Sequence, residues 1–65
     1  MNRIREIREK KGLSQKDIAN ALKVKRPFIT NLENSRKPLP LKRAIEIADF
    51  LNVSLDELVG RENQA

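Results

Sequence analysis

The stretch from Ser14 to Asn34, SQKDIANALKVKRPFITNLEN, decides the fold. It predicts two short helices joined by a tight turn. Ser14 is a hydroxyl N-cap and Asp17 stands three residues on at a capping-box position, so the first of the two runs from about Gln15 to Leu22, with Ile18, Ala19 and Leu22 on one apolar face. Lys23 and Val24 make the turn. Pro27 lacks an N–H, suits a first helical turn and pushes its predecessor out of helical geometry, so the second helix begins near Arg26. At about 100° per residue, Ile29 and Leu32 face inward, Pro27, Thr30, Asn31 and Asn34 face outward, and Phe28 lies on the flank. A helix this short is unstable by itself, so the rest of the chain has to hold it.

Upstream, Asn2 is the expected N-cap of a helix reaching about Lys10, with Ile4 and Ile7 inward, Gly12 as the positive-φ stop and Leu13 plugging the core. Arg8 follows Ile7 near that buried stripe, an odd place for an unpaired charge. Downstream, Ser35-Arg36-Lys37-Pro38-Leu39-Pro40 reads as a loop, with Pro40 suited to a first helical position. The next helix, Leu41 to Leu51, is strongly amphipathic, with Leu41, Ala44, Ile45, Ile47, Ala48 and Leu51 in one arc facing the core. Asn52 is its left-handed C-cap, and Ser54-Leu55-Asp56-Glu57 is a capping box opening a short fifth helix through Val59 that Gly60 stops. The prediction is an all-α, compact five-helix domain over residues 1–60, followed by a frayed polar tail, 61–65.

Sixty-five residues make one small domain, without cysteine for disulfides or thiolate metal sites and without histidine. Apolar runs are far shorter than the roughly 18 residues a membrane span needs, and the N-terminus is charged where a signal peptide is apolar. A cytoplasmic protein with no membrane partner, no cofactor and no small-molecule substrate is the simplest reading. Catalysis is not expected, because histidine, cysteine and tyrosine are all absent and so small a domain has no room for a deep pocket. The formal charge of +5 is unevenly spread: residues 1–22 carry a net +3, 23–43 a net +6 and 44–65 a net −4. A polyanion would be drawn to the middle segment.

Two helices at this spacing, the second ending Leu32-Glu33-Asn34, resemble the phage-repressor helix-turn-helix family of the Cro and Xre type. The matching pieces are IREIREKK from Ile4 to Lys11, Gly12-Leu13-Ser14-Gln15, Ile18-Ala19, Ile29 with Leu32-Glu33-Asn34, and AIEIADFLNVSLDEL from Ala44 to Leu58. Together they cover nearly the whole chain. The resemblance implies a pairing of Arg8 with Glu33 that ties the first helix to the third, and sequence-specific binding of double-stranded DNA by a transcriptional regulator, typically a repressor. The chain departs from the family at three places: the family commonly has a serine or threonine cap where Lys25 stands, glycine at Ser35, and a serine or threonine cap at Pro40.

The residues themselves suit DNA. The N-terminus of the second helix, beside Ser14, Gln15 and Lys16, offers amide donors to a phosphate. Lys23, Lys25, Asn34, Arg36, Lys37, Lys42 and Arg43 flank the third helix as further phosphate contacts. Base reading falls to Arg26 on guanine, Asn31 on adenine, and Pro27, Phe28 or the Thr30 methyl on thymine, with the resemblance adding Gln15 at the groove's edge. Phe28 has an alternative role as a satellite of the core. One recognition helix reads about five base pairs, a string recurring roughly every thousand, which argues for a homodimer, formed on DNA if not before, on a palindromic operator. Phe50, on the solvent side of the fourth helix, is the candidate anchor, with Leu55 or Val59 beside it. The competing reading is a protein-interaction module of the same fold, antitoxin-like or developmental.

Overall fold

Two reciprocal hydrogen bonds start the helix-turn-helix: the Ser14 hydroxyl oxygen accepts the Asp17 N–H at 3.0 Å, and the Asp17 carboxylate accepts the Ser14 N–H at 2.8 Å. The computed structural model describes residues 2–36 and 38–60, so Lys37 and the tail 61–65 lie outside the described residues. Within them the chain forms α1 (Ile4–Lys10), α2 (Gln15–Leu22), α3 (Arg26–Glu33), α4 (Leu41–Leu51) and α5 (Leu55–Val59), with no strand. Ser54 and Glu57 repeat the capping box at α5.

Each helix is followed by a backbone position in the left-handed region: Gly12 (φ 70°), Lys23 (60°), Ser35 (57°), Asn52 (59°) and Gly60 (77°). That conformation lets the chain fold back while the freed amides reach the last turn; Val24 N–H donates to Ala19 and Val53 N–H to Ala48. Glycine is the usual residue for such a turn because a Cβ makes it costly. Ser35 therefore keeps the turn that glycine makes in the resembled family, with a side chain attached.

The start of α1 differs from expectation by one residue. Arg3 is the N-cap position, and Asn2 acts from one step earlier: its carbonyl oxygen accepts the Ile4 N–H at 3.1 Å and its amide nitrogen donates to the Leu32 carbonyl at 2.9 Å. One side chain thus caps α1 and fastens it to α3. Pro40 likewise is the N-cap of α4, in extended geometry (φ −63°, ψ 144°), because its fixed φ is compatible with either side of the helix start. Its carbonyl accepts the Ala44 N–H at 2.9 Å.

Ile4, Ile7, Ile18, Ala19, Ile29, Leu32, Ala44, Ile47, Ala48, Leu51 and Leu58 form the core, with Leu13, Leu22, Val24, Leu39, Val53 and Leu55 packed around it. All five helices contribute, and α4 packs on α1, α2 and α5. The arc predicted for α4 is too wide. Leu41 is 65% exposed and Ile45 45% exposed, although both carry apolar side chains on the stripe's edge. Helical periodicity gives the angle of a side chain but not the neighbour that covers it, and among the described residues this edge of α4 is left exposed. Phe50, by contrast, lies on the solvent side as its angle implied.

Ile45→Ala and Ile47→Ala separate the two edges of α4. Truncating the fully buried Ile47 should cost about 2 to 5 kcal/mol, whereas Ile45→Ala should stay within about 0.5 kcal/mol. Chemical denaturation of both variants measures the contrast; equal losses would mean that Ile45 is covered in solution.

Candidate nucleic-acid interface

The face of α3 is organised by one buried carboxylate. Glu33 has no side-chain exposure, yet its two oxygens accept four hydrogen bonds: Arg8 Nε at 2.7 Å on one, and Arg8 Nη2 at 3.2 Å, Gln15 Nε2 at 3.0 Å and Arg5 Nε at 3.3 Å on the other. Arg8 also donates to the Leu13 carbonyl at 3.0 Å, so its guanidinium spans α1, the following turn and α3. Burial works to raise the Glu33 pKa, but the hydrogen bonds from Arg8 and Gln15 and the nearby positive charge outweigh it, and the carboxyl sits below its usual value. The same bond to Glu33 raises the Arg8 pKa against desolvation. Both partners are held charged.

Gln15 carries the network to the outer face of α3. Its amide nitrogen is given to Glu33, and its carbonyl oxygen accepts the Thr30 hydroxyl at 2.9 Å. The orientation of the Gln15 amide is set at both ends. Thr30 also back-bonds the Arg26 carbonyl at 3.3 Å. The bond from Thr30 to Gln15 joins these two sequence-predicted readers across the turn.

The start of α3 lacks a side-chain cap at Lys25, whose backbone is extended (φ −84°, ψ 148°). Proline compensates in part. Pro27 has no N–H to satisfy, and Phe28 N–H turns back to the Lys25 carbonyl at 3.0 Å, so fewer amide donors are left open than in an ordinary first turn. Arg26 and Pro27 are exposed there, Asn31 is half-buried one turn on, and Asn34 is exposed at the end. Phe28 is half-buried against the core, with the Arg43 guanidinium 5.7 Å from its ring centroid. Its ring serves packing first.

Among the cations assigned to phosphates, Lys16, Lys23, Lys25, Arg36 and Lys42 are exposed. Arg43 is engaged within the fold: besides covering Phe28, it donates to Glu46 at 2.9 Å. At the N-terminus of α2 the Asp17 carboxylate already occupies part of the positive end, its pKa lowered by hydrogen bonds from the Ser14 backbone and then its side chain. The Ser14 oxygen accepts the Asp17 N–H, so this side chain too is committed to the cap. Phe50 borders a shallow depression with Ala21, Leu22 and Lys23, while Leu55 is half-buried on the core and Val59 is half-buried.

Residues 4–58 match the profile of a helix-turn-helix family. The chain belongs to the Cro and Xre type of helix-turn-helix proteins. It is similar to the HTH-type transcriptional regulator DdrOP3 of Deinococcus deserti, 32% identical over 57 residues, which are 88% of this chain and 44% of that protein. The chain thus spans less than half the length of this relative.

In this helix-turn-helix domain the sequence did not reveal Arg5 or Asn2 as partners of α3, nor the bond between Gln15 and Thr30. Arg5 donates to Asn34 Oδ1 at 2.7 Å as well as to Glu33, across 29 and 28 residues. The only signal was charge balance, since a glutamate near two arginines on one side of α1 can accept from both.

Arg8→Met and Glu33→Gln should each cost about 3 to 5 kcal/mol, Glu33→Gln by stranding the buried Arg8 charge and Arg8→Met by leaving the carboxylate to Arg5 and Gln15 on one oxygen only, and the double variant should lose much less than the sum. Additive losses in denaturation would rule out the coupling. The pH dependence has a definite sign. A carboxyl whose folded pKa is depressed gives its full stabilisation above the unfolded value of about 4.3 and loses it as the pH falls through the folded value. Stability should therefore drop on acidification below about pH 4, and Glu33→Gln should flatten that drop.

Proposed function

We propose that the domain is a sequence-specific, duplex-DNA-binding transcription regulator that lays α3 in the major groove. The observation that carries this reading is the two-sided character of α3. Ile29, Leu32 and Glu33 anchor its inner side, and Arg26, Pro27, Thr30 and Asn31 line the outer side. The net +6 of residues 23–43 surrounds that helix and suits a polyanion. The similarity to a transcriptional regulator agrees with it.

In this reading Arg26 takes guanine through O6 and N7, Asn31 takes adenine through N6 and N7, and Pro27, Thr30 and the free edge of Phe28 meet thymine methyls. Gln15, its amide oriented by Glu33 and Thr30, works at the groove's edge. Ser14, Lys16, Lys23, Lys25, Asn34, Arg36, Lys37, Lys42 and Arg43 meet phosphates. Arg43 does so with part of its guanidinium already committed to Glu46.

Arg26→Ala should relax preference at one base position and cost about 1 to 3 kcal/mol on the selected site, while Lys25→Ala should weaken all sequences alike and lower the salt slope by about 0.9. Selection of bound fragments from random DNA, followed by titration of each variant, makes the comparison. Should Arg26→Ala weaken random and selected duplexes equally, the assignment of Arg26 to base reading fails.

Two copies on a palindrome, about 34 Å apart, would give the address length that one helix lacks. Phe50 is the anchor proposed for that homodimer, on the ground of its 40% exposure beside Leu22 and Lys23. Phe50→Glu should keep the melting temperature of the free domain and abolish cooperative occupation of the two half-sites. Unchanged cooperativity would exclude this surface.

A further inference from the structure

The outer half of the Glu33 cluster has more positive charge than its structural role needs. Arg8 is nearly buried and gives Glu33 two hydrogen bonds, one at 2.7 Å, so the carboxylate is largely neutralised by Arg8 alone. Arg5 adds a longer bond at 3.3 Å to the same oxygen that Gln15 and Arg8 share, and its side chain remains 53% exposed. Two guanidinium groups on one carboxylate leave a net charge of +1, and the excess lies at Arg5.

Arg5 also sets the orientation of Asn34. It donates to Asn34 Oδ1 at 2.7 Å, so the Asn34 carboxamide turns its oxygen inward and its two N–H donors outward. An outward-facing amide nitrogen beside the unused N–H groups of an exposed guanidinium is a pair of donors for one anion. The location matters as well. The last turn of α3 has no basic residue of its own, and its C-terminal end carries the negative pole of the helix, which repels phosphate. Arg5 reaches over from α1 and places a cation beside that last turn, ahead of Arg36 in the following loop.

We propose that Arg5 and Asn34 together clamp a DNA backbone phosphate at the C-terminal end of α3. The proposal rests on the DNA-binding reading and adds a contact from α1 that the helix-turn-helix segment does not contain. Eight residues at about 1.5 Å each make α3 about 12 Å long, comparable to the width of the major groove, so a helix held in the groove has a backbone strand within reach of each end. Lys25 serves the N-terminal end and the clamp serves the other. The open hollow on the α1 side of Arg5 is a poorer place for an anion, since Glu6, Glu9 and Glu33 offset the charges of Arg3, Arg5 and Lys10 that also line it, Glu6 being tied to Arg3 at 3.0 Å. The phosphate therefore sits on the Asn34 side.

The test measures duplex affinity against salt for the wild type, Arg5→Gln, Arg5→Lys and Asn34→Asp, with the melting temperature of each as a folding control. Arg5→Gln should lower the salt slope by about 0.9, equivalent to roughly eightfold weaker binding at 0.1 M salt if the curves meet near 1 M. Arg5→Lys keeps the charge and should keep the slope. Asn34→Asp should bind more weakly than Arg5→Gln, because its carboxylate still accepts from Arg5 but repels the phosphate. If Arg5 only supports Glu33, Arg5→Gln lowers the melting temperature and leaves the slope of the wild type, and the clamp is overturned. A wild type whose duplex binding has no salt dependence, with Lys25→Gln equally without effect, overturns the DNA reading and the clamp with it; a slope that falls in Lys25→Gln alone overturns the clamp only.

Discussion

The constraint on which the structure depends is that a fully buried carboxylate must find donors from more than one helix at once. Glu33 belongs to α3, but its partners come from α1 (Arg5 and Arg8) and α2 (Gln15). An apolar contact tolerates sliding by an ångström or two; four hydrogen bonds to two oxygens do not. Replacing such a pair with apolar side chains often costs no stability in other proteins, so the pair is weak evidence for net stabilisation, while its geometry ties α3 to α1 in one register. A shift of α3 along α1 would break these bonds, and the arrangement that makes them leaves Arg26 exposed with Thr30 and Asn31 half-buried beside it.

Around that point the chain is held by local devices that act within a few residues. Two capping boxes start α2 and α5, and left-handed residues follow all five helices. Two of the five are glycine. At Lys23 and Ser35 the backbone holds a conformation that ordinarily costs an L-residue about 1 to 2 kcal/mol, and the surrounding structure must offset this. Both flank α3, Lys23 in the turn before it and Ser35 just after it. At these positions a side chain is retained on the basic face where glycine would turn more easily.

Such local devices explain what could be read from the sequence. The Ser14–Asp17 and Ser54–Glu57 boxes, the stop at Gly12, the left-handed Asn52 and the solvent position of Phe50 each depend on residues within one or two turns, and all were legible. The width of the apolar face of α4 was not. Leu41 and Ile45 look buried on a helical projection, yet coverage depends on where α1, α2 and α5 pack. The polar ties were harder still: Asn2 to Leu32, Arg5 to Asn34 and Thr30 to Gln15 join positions 15 to 30 residues apart and leave no periodic trace. Arg8 with Glu33 was approachable only through the family resemblance, because a charge beside a buried stripe signals a need for a partner without naming it.

The same ties divide the outer face of α3 into two kinds of group. Gln15 and Thr30 are ordered by the fold, each hydrogen-bonded to the other and Gln15 anchored to Glu33, so the cost of fixing them falls on folding rather than on association. Arg26 is different: among the described residues its guanidinium has no partner, and it is exposed. Ordering it on a ligand costs about 0.5 to 1.5 kcal/mol, which a charge-assisted bidentate contact exceeds only when both of its bonds form. The edge at Gln15 and Thr30 is fixed by the fold, whereas the long side chain at the N-terminus of α3 is held by no bond of its own among the described residues. A partner surface that accepts only one bond from such a side chain returns little more than the ordering cost.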